Sequence, residues 1–241
     1  MRTALVALLL VTGLPAVARA ECAAGAQSAS VDELVRRVRS EGLRYVFVGE
    51  RHGVGPVKRF AVELANALAA DGIETGLYVE GFRSSCDVGD ETCWSLAWAF
   101  NAGAFGALLD QARVPVHPID PPSRERRVER MAAAIAAGDE AVRVVLAGKT
   151  HVVHADDPDA DWRVFGGLRY PSPGDLARAF ERSEYVTVGL EVVPERTFPY
   201  RLTRGGCGVD YQLATSDVAD YWGGGRGGGA GGPRPTRAAP R

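Results

Sequence analysis

Four short apolar runs in this chain each stop at a side chain that can hold charge or move a proton. Tyr45–Val48 breaks at Gly49 and is followed by Glu50 and His52. Gly76–Val79 ends at Glu80, Val114–Ile119 ends at Asp120, and Val142–Ala147 ends at Gly148 with His151 and His154 just beyond. Carboxylates beside imidazoles are the groups that orient water and pass protons at neutral pH. They are also ligands for divalent ions such as zinc or iron. The chain has 4 histidines, and His52, His151 and His154 all fall past strand ends. His117 lies inside the third apolar run and is expected to be packed in the core. Polar residues often follow strands because loops are surface features. The distinguishing pattern is that Gly49 and Gly148 each precede a histidine by three positions.

The segments around these residues alternate between strand and helix patterns. Helical spacing runs over Val31–Ser40, with Ser30 as N-cap, and from about Pro56 to Ala70, closed by Asp71-Gly72. Phe82–Cys93 is expected to be irregular, Trp94–Gln111 helical and aromatic-rich, and Ser123–Ala137 helical. Prolines in the third strand argue for an edge position or an irregular end. Further on, strands are expected near Trp162–Phe165, over Tyr185–Leu190 and at Val209–Leu213, with a short helix near Gly174–Arg182. Such alternation predicts an α/β fold: a single domain with a mostly parallel sheet flanked by helices and a short helical insertion after the second strand. Parallel strands put all their carboxyl ends on one rim, where ligands of open α/β sheets bind. Glu50, His52, Glu80 and His151 are then expected to meet there, either as catalytic groups or as ligands of one metal ion.

Residues 1–20 have the pattern of a signal peptide: Arg2, an apolar stretch Ala4–Val17, and Ala18-Arg19-Ala20 as a cleavage site. The apolar stretch is too short to span a bilayer, and Glu21 before Cys22 argues against a lipid-modified cysteine. The expected location is therefore periplasmic or secreted. Residues 21–222 form the expected domain. Residues 223–241 are Gly, Pro, Arg, Ala and Thr and are expected to be a disordered tail. Export favours disulfides, and Cys86–Cys93 with Cys22–Cys207 is the preferred pairing of the four cysteines. A formal net charge of −2 gives no global attraction to nucleic acid or anionic membrane.

In order and spacing, Val48-Gly-Glu-Arg-His52, Gly76-Leu-Tyr-Val-Glu-Gly-Phe82, Val114-Pro-Val-His-Pro-Ile-Asp-Pro-Pro122 and Val144-Val-Leu-Ala-Gly-Lys-Thr-His151 resemble the ChaN-like haem-binding proteins. Ser216-Asp-Val-Ala-Asp-Tyr-Trp222 resembles that family's C-terminal segment. The wider superfamily includes the erythromycin esterases, the TraB proteins and the Tiki proteases. The resemblance implies an exported α/β protein that binds haem or a metal, or a hydrolase using Glu and His. For haem uptake, His52, His151 or His154 would be the axial ligand, and Trp94, Trp98, Phe100 and Phe105 would form the apolar wall. For a hydrolase, His52 would be the base, Glu50 or Glu80 its orienter, and His151 a second base or oxyanion stabiliser. A non-catalytic exported domain is the third reading. Neither a G-x-S-x-G elbow nor an H-E-x-x-H helix is present. The expected partner is a small-molecule ligand, and a homodimer around it is an arrangement the sequence leaves open.

Overall fold

The computed structural model describes residues 27–51, 54–83, 102–121, 125–153, 163–164, 168–169, 174–193, 200–205 and 208–216. The elements in chain order begin with β1 (Gln27–Ala29), α1 (Val31–Glu41), β2 (Tyr45–Glu50), α2 (Gly55–Ala70) and β3 (Thr75–Arg83). Then come α3 (Ala102–Leu109), β4 (Val116–Asp120), α4 (Arg127–Ala136), β5 (Val142–Gly148) and a single turn of helix, α5 (Lys149–Val152). Two short strands, β6 (Arg163–Val164) and β7 (Leu168–Arg169), pair with each other, and two 3-10 turns lead into β8 (Tyr185–Val193). The last strands are β9 (Arg201–Arg204) and β10 (Tyr211–Ser216).

Eight of these strands form one sheet in the order β1-β9-β10-β8-β2-β5-β3-β4. From β10 to β4 every neighbouring pair is parallel, whereas β9 is antiparallel to β10 and β1 is antiparallel to β9. The expected mostly parallel α/β fold is what forms. β4 is an edge, where Pro118 removes no needed ladder donor.

Alternation along the strands separates two cores. Val46, Val48, Leu77, Val79, Val144 and Leu146 face α2 and α3, packing on Phe60, Leu64, Leu68 and Phe105. Tyr45, Phe47, Tyr78, Val145 and Ala147 face the other way, onto Met131 and Ile135 of α4 and Val152 of α5. α1 is fixed at both ends: Ser30 Oγ accepts from the Glu33 N–H at 3.1 Å, and Gly42 turns left-handed at φ 65°.

Several boundaries differ from the sequence pattern. Glu50 and Glu80 lie inside their strands, because β3 continues through a register shift between Val79 and Arg83. The helix expected from Ser123 begins at Arg127, and the one expected over Gly174–Arg182 is two 3-10 turns. β1 and β9 carry little apolar alternation and had no sequence signal. The N-terminal 20 residues, the C-terminal tail and all four cysteines lie outside the described residues. No helix among the described residues is long and apolar enough to cross a membrane.

Candidate functional site

The strand order sets the ends of β2, β5, β3 and β4 side by side, although the chain visits them in the order β2, β3, β4, β5. Glu50 is in register with Gly148, while Val79 pairs with Leu146 one step before Glu80. Neighbouring strands are about 4.8 Å apart, so side chains from three strand ends can meet without long reach.

Glu80 is the buried centre of this rim, at 4 % exposure. Its Oε2 accepts the Gly148 N–H at 2.5 Å and its Oε1 accepts Arg127 Nη2 at 2.6 Å. Arg127, the first residue of α4, also donates from Nε to Asp120 Oδ1 at 2.8 Å, with Nη2 reaching the same oxygen. Asp120 Oδ2 in turn accepts the Gly81 N–H at 2.9 Å, which ties the end of β4 to the irregular part of β3.

His151 closes the group. The one-turn helix α5 sits directly on the sheet because Gly49 has no side chain: a Cβ there would stand 3.2 Å from Lys149 Cα. The His151 Nδ1 is 2.7 Å from Asp175 Oδ1, and Nε2 is 3.3 Å from Arg127 Nη1 and 3.8 Å from Glu80 Oε1. Asp175 is itself positioned by the Leu176 N–H on Oδ1 and by Gly174 N bonding to Thr150 O at 2.6 Å.

The charges respond to one another. Burial on its own would raise the pKa of Glu80, but His151, Arg127 and the Gly148 N–H outweigh it and bring the carboxyl below its ordinary range. Burial would lower that of His151, yet Asp175 and Glu80 prevail over burial and the opposing Arg127 charge, raising it above 6.5. The result is an imidazole whose charged form is favoured by its carboxylate neighbours, beside a carboxylate held toward its ionised form by His151 and Arg127.

Glu50 is placed differently. It follows Val46 and Val48 on the α2 face of the sheet, where it forms an ion pair with Lys58, both residues being almost fully buried. Glu80 follows Tyr78 onto the α4 face. The structure therefore brings Glu80 and His151 together and sets Glu50 on the opposite face. His52 and His154 lie outside the described residues, as do Trp94, Trp98 and Phe100. Phe105 is buried in the α2-side core, its ring 5.4 Å from Lys58 Nζ.

His117 is not the core histidine expected. Its side chain is 40 % exposed on the edge strand, stacked on Tyr78 with Nε2 2.6 Å from Glu140 Oε1. Among the described residues no further strand lies beyond β4 to cover it.

A metal ion does not fit the described donors. Each candidate carboxylate already faces a cation, Glu80 on Arg127 and Glu50 on Lys58, and the two lie on opposite faces. No three His, Cys, Asp or Glu among the described residues are grouped to hold an ion. For haem, His151 is a poor axial ligand, since both ring nitrogens face charged partners in place of an apolar slot.

Arg127 and Asp175 escaped the sequence reading. Arg127 stands in a charged run, Arg124 to Arg130, that reads as a solvated helix face, and Asp175 follows a glycine outside any strand end. The signal that could have found Arg127 is the presence of a buried strand-end carboxylate seven residues before it.

No protein-family model and no curated protein sequence matches the chain. Solved structures do. The type III effector HopBA1 aligns at 16% identity with a TM-score of 0.50, over 80% of this chain and 96% of that one. ChaN of Campylobacter jejuni, in a structure of cofacial haem binding, aligns at 12% identity and TM-score 0.48, over 77% and 91%. RRSP, a MARTX toxin effector domain from Vibrio vulnificus CMCP6, aligns at 16% identity and TM-score 0.44, covering 85% of this chain but 40% of that one. At these identities the likeness is one of fold.

Proposed function

We propose that this chain is an exported hydrolase that cleaves an ester or amide bond by histidine–carboxylate acid–base chemistry at the rim formed by β2, β5, β3 and β4. The observation that carries the reading is the His151–Asp175 pair beside ionised Glu80. A histidine held at Nδ1 by a carboxylate carries, in its charged form, an Nε2 proton that it can deliver. In this scheme His52 takes a proton from water as the water oxygen attacks the carbonyl carbon, and the carbonyl electron pair moves onto its oxygen. When the pair returns, the bond to the leaving oxygen or nitrogen breaks and that atom takes the Nε2 proton of His151. Proton transfer from His52 back to His151 through solvent restores the site. Glu80 stabilises the charged His151. Glu50, through Lys58, fixes the end of β2 from which His52 follows.

The test is turnover of a panel of chromogenic and fluorogenic esters and amides by protein dialysed against chelator. The expected result is hydrolysis that His151→Ala lowers by about a hundredfold or more with the fold intact, the usual scale for losing a general acid. Turnover absent across the panel, or equal in the variant, overturns the proposal.

Haem or metal binding in iron uptake is the reading the sequence favours, with His52, His151 or His154 as the haem ligand. A hemin titration of the same protein separates the two. A Soret band lost in His52→Ala and His154→Ala, without ester or amide turnover, would put haem binding first.

A further inference from the structure

A carbonyl under attack needs a donor for its oxygen as well as an acid and a base, and the network around Glu80 contains one with unusual support. The guanidinium of Arg127 is held on two of its three nitrogens: Nε and Nη2 lie on Asp120 Oδ1, and Nη2 also lies on Glu80 Oε1. This leaves Nη1 turned toward His151 Nε2 at 3.3 Å. We propose that Arg127 is the anion-stabilising residue of the site, presenting its Nη1 N–H beside His151 to the oxygen that becomes negative when a carbonyl is attacked. The inference rests on the hydrolytic reading above and adds the donor which that scheme lacks.

Five features support it. An arginine keeps its charge at every working pH, so the donor never switches off. Anchoring by two carboxylates removes the cost of reorienting it during reaction, the condition under which such donors act most strongly. The side chain is 26 % exposed, so it is partly open to a ligand while its partners Glu80 and Asp120 are buried. Protonation of His151 turns the 3.3 Å contact into two donors facing each other. An oxyanion placed between them resolves that repulsion by accepting from both. The chain also turns into α4 through Arg126 in a left-handed conformation, φ 48°, the one non-glycine residue of positive φ among those described. Such strain persists where the surroundings hold a neighbouring group in place.

The alternative is a plain structural link between α4 and the strand ends. The two are separated by binding, without need of turnover. A phosphonate monoester mimics the charged tetrahedral intermediate, and the matching neutral carboxylic ester mimics the ground state. Dissociation constants for both are measured with wild type, Arg127→Lys and Arg127→Gln. Lysine keeps the charge that neutralises Glu80 and Asp120 but loses the fork. The expected outcome is a loss of about tenfold or more for the phosphonate in Arg127→Lys, larger in Arg127→Gln, with the neutral ester changed less than about twofold. Should either variant fail to fold, the ¹⁵N shifts of the wild-type Arg127 guanidinium on adding phosphonate give the same reading. Failure of wild type to bind phosphonate, or equal weakening of both ligands, overturns the inference. Phosphonate binding through Arg127 in a protein that hydrolyses nothing on the panel removes the hydrolase and leaves an anion site.

Discussion

The Glu50–Lys58 pair offers the sharpest test of how the strand ends are divided between the two faces of the sheet. Lys58 Nζ and Glu50 Oε2 are in contact with side chains at 0 % and 1 % exposure. Removing one member of a fully buried pair leaves a charge that water cannot reach, which costs about 3–5 kcal/mol. Lys58→Met is therefore expected to lower stability by about that amount. For a domain of this size each kcal/mol moves Tm by about 2–4 °C, giving a drop of roughly 6–20 °C. Glu50→Leu should cost a similar amount for the same reason. The double variant replaces the pair by two apolar side chains of comparable volume against Phe105 and the β2–α2 core. It should recover most of the loss, as apolar replacements of buried ion pairs commonly do. Urea unfolding of the four proteins gives the coupling energy directly. If Lys58→Met costs less than about 1 kcal/mol, or if the single losses simply add, Glu50 is not paired inside the α2 face. The assignment of Glu80 alone to the His151 side then fails with it.

Three further outcomes follow from the same geometry. By NMR titration His151 should titrate above its ordinary value of 6.5, and Asp175→Asn should bring it down, because the carboxylate on Nδ1 is the largest influence raising it. The sign for stability follows: His151 contributes fully below its unfolded pKa of about 6.5, and that contribution is lost as pH rises through the raised folded value. Glu80, lowered by His151 and Arg127, contributes above the ordinary carboxyl range and its share is lost on acidification through its folded pKa. Gly49→Val should destabilise by about 1–3 kcal/mol, since a side chain there meets Lys149 Cα and Val152 Cβ. A wild-type Tm in that variant would mean that α5 is not seated on β2.

The sequence carried the fold well where burial was two-sided. Val46, Val48, Val144 and Leu146 form unbroken apolar strands because helices cover both faces, and these are the strands read most closely. It carried less where structure depends on pairing in place of pattern: β9, Arg-Leu-Thr-Arg, is held by β10 and β1, with one buried side chain. For the site, strand-end chemistry was legible at Glu80 and His151, since a strand that stops at glycine or a carboxylate is a local signal. Which face a strand-end carboxylate takes follows from counting alternation from the core, and that count separates Glu50 from Glu80 only once both strands are seen to extend to these residues. Arg127 and Asp175 come from a helix start and a turn, where sequence distance to the site, 47 positions from Glu80 to Arg127, says nothing about spatial distance.

The most direct test of the account is the pH profile of kcat/KM on the best substrate of the panel, in wild type and Asp175→Asn. If His151 is the proton donor, activity falls as pH rises through its raised pKa, and Asp175→Asn moves that descending limb to lower pH. A limb that stays where it was, or a profile with none, would show that the His151–Asp175 pair takes no part in the chemistry.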